Sequence, residues 1–329
     1  MSERSLISAF EKLFAQRGNR NVGWLGDDCA VVRSKPYCVT SVDSIVDGVH
    51  FRLENERVTA ADVGHKALAA ALSDLAAMAA EPGEAYIALG IPDDFSDSDV
   101  LSLVASAEAL AEQSAVTIAG GDLVRSPTLF CSVTVTGWSD LPEQIIGRGD
   151  AEVGDHLYVS GPLGAAAAGL QVLENGAGSE LPAALTEALI AAQLRPLPRF
   201  NCARQLRAAG ANALIDISDG LATDAAEIAA RSAVTLEIEL NAIPLADGVA
   251  QIATELGRDP AQFAVCGGED YELCACLPAA AAAQVDGLTE IGIVTEGPAG
   301  VRFLGSDGKQ VELHGYEHDV GGKPSATTR

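Results

Sequence analysis

The sequence predicts a two-domain protein of mixed helical and strand structure, an α/β (α+β) fold. Its 329 residues are 48% apolar, which suffices for a sizeable core and about two domains. Predicted strands and helices mix in the first half without a strict βαβ rhythm, which favours helices layered on a sheet. A change of composition at residues 147–154 (GRGDAEVG) separates an N-terminal domain, residues 1–146, from a C-terminal domain, residues 147–329.

The N-terminal half opens with apolar residues at helical spacing over residues 5–16, which predicts an amphipathic helix. An apolar run at residues 37–42 predicts a strand that ends at Asp43. Thr59, followed three residues later by an Asp, predicts a capping box on a long Ala-rich helix that continues to Met78. The other predicted elements of this half are strands at 85–91, 115–119 and 129–137 and a helix at 96–113.

The C-terminal half offers two loops at strand ends that could belong to a functional site. A strand at residues 156–160 precedes GPLG and an Ala-rich helix; GPLG could hold a phosphate or only close a turn, and we favour the turn. A strand at residues 213–217 delivers Asp216, Ser218 and Asp219 to the next helix. Ser218 or Asp219 could be only an N-cap, but capping leaves Asp216 unexplained. The other predicted elements are helices at 200–209 and 222–231 and strands at 235–240, 271–277, 290–295 and 301–304.

The charge balance and the cysteines exclude several classes of protein. A net charge of −25, a pI near 4.4 and the lack of a Lys/Arg-rich run argue against binding to nucleic acid or an anionic membrane. No apolar run approaches the roughly 18 to 20 residues that a membrane span needs. The seven cysteines are scattered and include no C-x-x-C pair, so we expect reduced thiols in a cytoplasmic protein.

Short carboxylates recur at predicted element ends or in apolar surroundings. They are Asp27 and Asp28 after Gly26, Asp43 and Asp47 in SVDSIVDGVHF (41–51), Asp74 in an apolar helix, Asp122 after a Gly pair, and Asp216 and Asp219. Each motif alone could be a turn, a cap or a solvated position. Five in one chain are harder to attribute to solvation, and short carboxylates suit Mg²⁺, which prefers hard oxygen ligands. We predict that they converge on one site for divalent cations.

The order of these motifs resembles the thiamine-monophosphate kinase family over nearly the whole chain. The motifs are GDDCA (26–30), SVDSIVDGVHF, KALAAALSDLAAM (66–78), GGD (120–122), DISDGL (216–221), GGEDYEL (267–273) and GYEH (315–318). The resemblance implies a two-domain aminoimidazole ribonucleotide synthetase-like fold, with an N-terminal β-barrel and α layer that forms a homodimer and a C-terminal α/β domain that completes the active site. It implies Mg²⁺-dependent, direct in-line transfer of the γ-phosphoryl group of ATP to thiamine monophosphate, giving thiamine diphosphate.

The resemblance also implies roles for individual residues, without a catalytic side chain. The implied metal ligands are Asp28, Ser41, Val42, Asp43, Asp74, Asp122, Asp216 and Asp219. The implied ATP contacts are Gly121, Asp122, Arg148 and Ser218. The implied substrate contacts are His50, Glu269 and Tyr316, with Glu269 supplying a charge and Tyr316 a flat face for the cationic thiamine. This chain departs from the family pattern at Val42, which could ligate only through its carbonyl, at Leu123 and at Asp319.

The charges of the chain agree with metal-dependent phosphoryl transfer. There is no G-x-x-x-x-G-K-[ST] loop and there are only five lysines. Two like charges 4 Å apart repel by roughly 4 kcal/mol at an effective dielectric of 20, so these carboxylates would expel ATP without its cations. The alternatives are a metal-stabilised binding protein, although an EF-hand pattern is lacking, or another ATP-using relative. A selenophosphate synthetase would carry a reactive Cys or selenocysteine near its N-terminus, and a hydrogenase-maturation relative would end in a functional Cys. The first Cys here is Cys29, beside the GDD motif, and the last two residues given are Thr328 and Arg329.

Two further expectations concern assembly and His50. The alternating apolar run at residues 129–135 would leave an open sheet edge if it were unpaired, which supports a homodimer. His50 could be a nucleophile, a general base, a substrate contact or a structural group. The sequence offers no partner that would activate a nucleophile, and a phosphate acceptor oxygen is already anionic. We therefore expect His50 to hydrogen-bond the acceptor phosphate.

Overall fold

The computed structural model describes residues 3–14, 29–30 and 32–316, which form two sheets with packed helices. The strands are β1 (Tyr37–Val46), β2 (Glu81–Ile91), β3 (Thr117–Arg125), β4 (Phe130–Ser139), β5 (His156–Val159), β6 (Ala213–Asp216), β7 (Thr235–Glu239), β8 (Leu273–Leu277), β9 (Thr289–Thr295), β10 (Gly300–Leu304) and β11 (Gln310–Val311). The helices are α1 (Glu3–Phe14), α2 (Ala60–Ala77), α3 (Asp97–Gln113), α4 (Ala165–Asn175), α5 (Ala183–Leu194), α6 (Phe200–Ala209), α7 (Leu221–Ser232), α8 (Val249–Glu255), α9 (Pro260–Cys266) and α10 (Ala279–Ala282). The predicted two-domain α/β architecture is confirmed.

The first sheet has the strand order β1-β4-β2-β3, with β3 parallel to β2 and the other neighbours antiparallel. Cys131, Val133 and Val135 of β4 are buried, while the residues between them are half-buried, so β4 has one core face. Because β4 pairs with β1 on one side and β2 on the other, the run at residues 129–135 is fully paired and leaves no open edge for a homodimer. Among the described strands, β1 and β3 are the edges of this sheet.

Helix α2 has the capping box that the sequence predicts. The Thr59 hydroxyl accepts from the Asp62 amide at 3.3 Å, and the Asp62 carboxylate accepts from the Thr59 amide at 3.0 Å. The helix is buried over almost its whole surface, which its many alanines permit. At Gly64 a Cβ atom would lie 2.0 Å from the Leu103 carbonyl oxygen of α3, so only glycine allows the two helices to come this close.

Two strand predictions for this half need correction. Strand β1 continues to Val46, so Asp43 lies inside the strand rather than at its end. The strand predicted at 115–119 continues to Arg125, so the Gly pair before Asp122 lies inside β3 rather than after it. A Cβ atom at Gly121 would lie 1.9 Å from the Ile87 carbonyl oxygen, so close contact with β2 explains the glycine there. The predicted first helix is present as α1, and residues 15 and 16 lie outside the described ranges.

The second sheet has the order β11-β10-β7-β9-β5-β8-β6, and all five residues of β8 are buried near its centre. The change of sheet falls between Ser139 and His156, and we propose that the domains divide at residues 146 and 147 within that connection. The sequence does not predict helices α5, α8, α9 and α10. The last three have seven residues or fewer, too few to show helical periodicity, and α5 is apolar over most of its length.

The GPLG turn holds an internal carboxylate. Asp270 accepts hydrogen bonds from the Gly164 amide at 2.7 Å and the Ala166 amide at 3.1 Å, at the N-terminus of α4. Burial raises the pKa of Asp270 to about 7. The favoured interpretation of GPLG as a turn agrees with this arrangement, because the position that an anion would take is filled by the protein itself.

All seven cysteines are free thiols, and three of them, Cys131, Cys274 and Cys276, are buried. Within the described ranges, no helix combines the length and the apolar character needed to cross a membrane.

Candidate active site

Three loops of the C-terminal half meet at the end of β6. The Glu269 amide donates to the Ser218 carbonyl at 2.7 Å, and the Tyr316 amide donates to the Asp219 carbonyl at 2.8 Å. These contacts require glycine next to each donor: a Cβ atom at Gly268 would lie 2.7 Å from the Ser218 oxygen, and one at Gly315 would lie 2.3 Å from the Asp219 oxygen. The DISDGL, GGEDYEL and GYEH motifs are therefore brought together by backbone contacts.

The loop between β6 and α7 is held by Asp224 rather than by an N-cap side chain. Asp224 accepts from the Ser218 amide at 2.9 Å and the Asp219 amide at 3.0 Å. The N-cap of α7 is Gly220, so the alternative that Ser218 or Asp219 is the cap is wrong. Burial, together with the charges of Asp216 and Asp219, raises the pKa of Asp224 to about 8.

Asp43, Asp74 and Asp216 form what we call the carboxylate cluster, which joins the two halves of the chain. Asp74 accepts a hydrogen bond from the Ser41 hydroxyl, and Asp216, which is 2% exposed, accepts one from the Ser73 hydroxyl at 2.6 Å. Burial raises the pKa of Asp43 to about 7, with further contributions from the charge of Asp74, its hydrogen bond and the charge of Asp216.

The negative charge of Asp74, which raises the pKa of Asp43, also acts on Asp216. Burial, followed by the charge of Asp74, raises the pKa of Asp216 to about 6, while Arg148 and the Ser73 hydroxyl oppose the rise. The Oδ2 atom of Asp43 is buried and has no hydrogen-bond partner among the described residues. Three acidic groups that repel one another, one of them with an unsatisfied buried oxygen, form a site suited to a cation.

The protein's own side chains supply an incomplete coordination sphere. Among residues 3–14, 29–30 and 32–316, no group of three or more His, Cys, Asp or Glu is arranged to hold a metal ion by itself. Arg148 is exposed, and its charge reaches Asp216. The carboxylate cluster and this arginine therefore lie together where an anionic ligand with its own oxygen atoms could complete the site.

His50 and Glu269 lie across the domain junction from each other. The Nδ1 atom of His50 accepts a hydrogen bond from the Val46 amide at 3.1 Å, which places the proton of the neutral ring on Nε2. The Glu269 carboxylate receives the Lys66 ammonium at 2.8 and 2.9 Å and the Gln193 amide nitrogen at 2.6 Å. Glu269 thus has a cationic partner within the protein.

Not every predicted site residue joins these groups. Gly121 and Asp122 are exposed on β3, three strand positions from β1, or roughly 14 Å at the usual strand spacing. The side chain of Val42 is 61% exposed on β1, so only its backbone could contribute. Tyr316 is 44% exposed and joins through its backbone. Asp28, with Asp27 and Asp319, lies outside the described residues.

The structure adds residues that our sequence analysis does not single out. Lys66 is a charged residue inside an Ala-rich helix, a signal like the one that identifies Asp74. Asp224 resembles an ordinary acidic residue in a first helical turn, and Gln193 and Ser73 carry no sequence signal. Tyr271 is buried. Burial raises its pKa well above the usual value, and the nearby charges of Glu269 and the carboxylate cluster raise it further.

The fold and this site define the class of protein. Residues 26–139 match the family described as AIR synthase related protein, N-terminal domain, and residues 152–304 match AIR synthase related protein, C-terminal domain. A crystal structure of the hydrogenase maturation protein HypE in complex with ATP shares the fold, with a TM-score of 0.77 at 23% identity and coverage of 97% of this chain and 96% of that one.

More similar relatives narrow the class to one family. The thiamine-monophosphate kinase of Aquifex aeolicus is 36% identical over 296 residues, covering 89% of this chain and 92% of the relative. That of Bacillus subtilis is 30% identical, covering 97% and 99%. The crystal structure of the enzyme from Stenotrophomonas maltophilia has a TM-score of 0.81 at 35% identity and covers 94% and 98%. The structure of AaThiL complexed with AMPPCP and TMP has a TM-score of 0.76 at 30% identity and covers 96% and 97%. The chain belongs to the thiamine-monophosphate kinase family.

Proposed function

We propose that this protein is a Mg²⁺-dependent kinase that transfers the γ-phosphoryl group of ATP to thiamine monophosphate and releases thiamine diphosphate. Its relatives are thiamine-monophosphate kinases, and the AaThiL structure holds AMPPCP, an analogue of ATP, together with TMP. The observation that carries the proposal is the carboxylate cluster at the domain junction, with Arg148 acting on Asp216. Such a site binds phosphates through cations.

The residues present fit Mg²⁺. We assign Asp43, Asp74 and Asp216 as its principal ligands, because the unsatisfied Asp43 oxygen and the mutual repulsion within the cluster call for a cation. We also assign Asp28, Ser41, Val42 and Asp219 to metal binding, on the family pattern. Asp122, three strands away from β1, is assigned to a separate ion on the same pattern. Mg²⁺ usually binds one or two carboxylates plus water and substrate phosphates, which suits an incomplete protein site. When bound, it neutralises the phosphate charge that the carboxylates would otherwise repel.

The protein's other groups bind and orient the two substrates. We assign Gly121, Asp122, Arg148 and Ser218 to ATP, with Arg148 supplying positive charge beside Asp216. We assign His50, Glu269 and Tyr316 to thiamine monophosphate. The Nε2–H group of His50 can donate to the acceptor phosphate, because Nδ1 is occupied by the Val46 amide.

These assignments support direct in-line transfer. The attacking oxygen of a phosphate acceptor is already anionic, so the protein has no proton to remove before attack. Holding the two substrates in line and neutralising their charges then supply the catalysis. No phosphorylated enzyme intermediate is needed.

Assembly and location follow as proposals. Among the described strands, β1 is an edge strand of ten residues with the exposed apolar side chain of Val42, and pairing with a second copy would cover this edge. We propose a homodimer built at β1. We also propose a cytoplasmic location, because all seven cysteines are free thiols.

The decisive experiment is an ATP-turnover screen with purified protein and Mg²⁺ across phosphorylated acceptors. We expect thiamine diphosphate from thiamine monophosphate, detected by chromatography, and no product when EDTA is present. Turnover with a different acceptor and none with thiamine monophosphate would assign the protein to another ATP-using member of this fold. ATP binding without turnover of any acceptor would support a metal-stabilised binding protein.

A further inference from the structure

The side chain of Lys66 is buried at the junction between the two domains. It lies on α2 and is 1% exposed. Its ammonium group contacts both oxygens of Glu269, at 2.8 and 2.9 Å, and donates to the His50 carbonyl at 3.2 Å. An ammonium has three N–H donors, so these contacts can use all of them. Lys66 therefore contacts, through one charged group, both His50 of the N-terminal domain and Glu269 of the C-terminal domain, two residues assigned to the acceptor.

The contact with Glu269 belongs to a polar face of α2. Asp62, Lys66 and Ser73 are four and seven residues apart, so they share one side of the helix. Each bonds the C-terminal half: Asp62 with Arg195 at 2.6 Å, Lys66 with Glu269, and Ser73 with Asp216 at 2.6 Å. Of these three residues of α2, Lys66 is the one whose partners, Glu269 and His50, are assigned to the acceptor.

The backbone at Glu269 needs such support. Its φ angle is +66°, a left-handed conformation that is costly for a residue with a side chain. Besides Lys66, the Glu269 carboxylate is held by the amide nitrogen of Gln193, which is 2% exposed. An ammonium and an amide thus fix a strained residue in one position.

We propose that Lys66 is a positioning residue for the phosphate acceptor, fixing the His50 turn and the Glu269 loop at one separation across the domain junction. The proposal rests on the proposed function, since it assigns Lys66 to the acceptor half of that site. It also changes the role expected of Glu269. Its carboxylate is neutralised by Lys66, so it orients the substrate by hydrogen bonding and does not act as an unpaired counter-charge for thiamine.

The test is the Lys66→Met variant, which keeps the length of the side chain and removes its donors. We expect the KM for thiamine monophosphate to rise by about tenfold or more, with the KM for ATP within about twofold of the unmodified enzyme, because a partner of a buried ion pair is lost on the acceptor side alone. The matched control is Arg195→Met, which breaks a neighbouring domain-to-domain ion pair and should leave both constants unchanged.

A double-mutant cycle with Glu269→Gln provides a second measurement. If Lys66→Met alone does not fold because the Glu269 carboxylate has lost its partner, the double variant removes that charge as well. The double variant should raise the acceptor KM by less than the product of the two single rises, because both changes remove the contact between Lys66 and Glu269 and only Lys66→Met also removes the one to the His50 carbonyl. An unchanged acceptor KM in Lys66→Met, an equal rise in both KM values, or additive effects in the cycle would overturn the proposal. An unmodified enzyme that does not use thiamine monophosphate would instead refute the proposed function.

Discussion

Replacing Asp43 by Asn should stabilise the metal-free protein while abolishing its activity. The pKa of Asp43 rises from 3.8 to about 7 in the folded protein, chiefly by burial and next by the charge of Asp74. Between these pH values the folded state binds more protons than the unfolded state, so the contribution of Asp43 to stability falls as pH increases. At pH 8 the ionised carboxyl opposes folding by up to about 4 kcal/mol, from roughly 1.36 kcal/mol for each pKa unit.

The Asn side chain has no charge to desolvate, and its amide can donate to Asp74. In EDTA at pH 8, we expect the melting temperature of Asp43→Asn to be higher by a few degrees, up to about 6 °C. The shift is the gain in free energy divided by the entropy of unfolding, and that entropy is large for a chain of this length. The gain should vanish as the pH falls below 3.8, the ordinary pKa of the carboxyl, because Asp43 is then protonated in both states. Added Mg²⁺ should raise the melting temperature of the unmodified protein far more than that of the variant. A variant that melts lower in EDTA at pH 8, or that gains equally from Mg²⁺, would refute this account of the carboxylate cluster.

Four other outcomes test separate parts of the structure. Asp74→Asn should lower the turnover number by orders of magnitude in saturating Mg²⁺ while the circular dichroism spectrum stays unchanged; full turnover would contradict its assignment. His50→Gln should raise the KM for thiamine monophosphate more than that for ATP, and γ-labelled ATP without acceptor should leave no acid-labile label on the protein. Asp270→Ala should lower the free energy of unfolding in urea by about 1–3 kcal/mol, because two buried amides lose their acceptor; no loss would show that the contact is not needed. Thr40→Lys, on the exposed part of β1, should shift the mass in light scattering from dimer towards monomer; a monomer before substitution would refute the dimer.

Much of the fold can be predicted from local patterns. The capping box at Thr59 and the cap at Ser96 set the starts of α2 and α3, because the side chains that bond the first amides are close in sequence. Strand positions also follow from apolar runs, but strand order does not. Strand β4 lies between β1 and β2, a placement decided by contacts between residues far apart in the chain.

The sequence identifies the acidic residues of the candidate site, but it does not show which residues pair with them. Asp74 is identified by its apolar surroundings, and Asp43 and Asp216 by their places at the ends of predicted strands; the structure brings the three together. The partner of Glu269 could not be read from the sequence, because Lys66 is 203 residues away in the chain. The sequence can mark Lys66 as a charge in an apolar helix, but only the packed domains show that its counter-ion is Glu269.

That separation of Lys66 and Glu269 has a consequence for synthesis on the ribosome. All four strands of the first sheet end by Ser139, so this half can fold before the C-terminal half is made. At about 5–20 residues per second, Glu269 is added roughly 10–40 s after Lys66. During that interval the ammonium must stay in water, and the final seating of α2 waits for the chain to reach its carboxylate. Nascent chains released before residue 269 should therefore leave this face of α2 open to proteases, whereas chains released after it should protect that face.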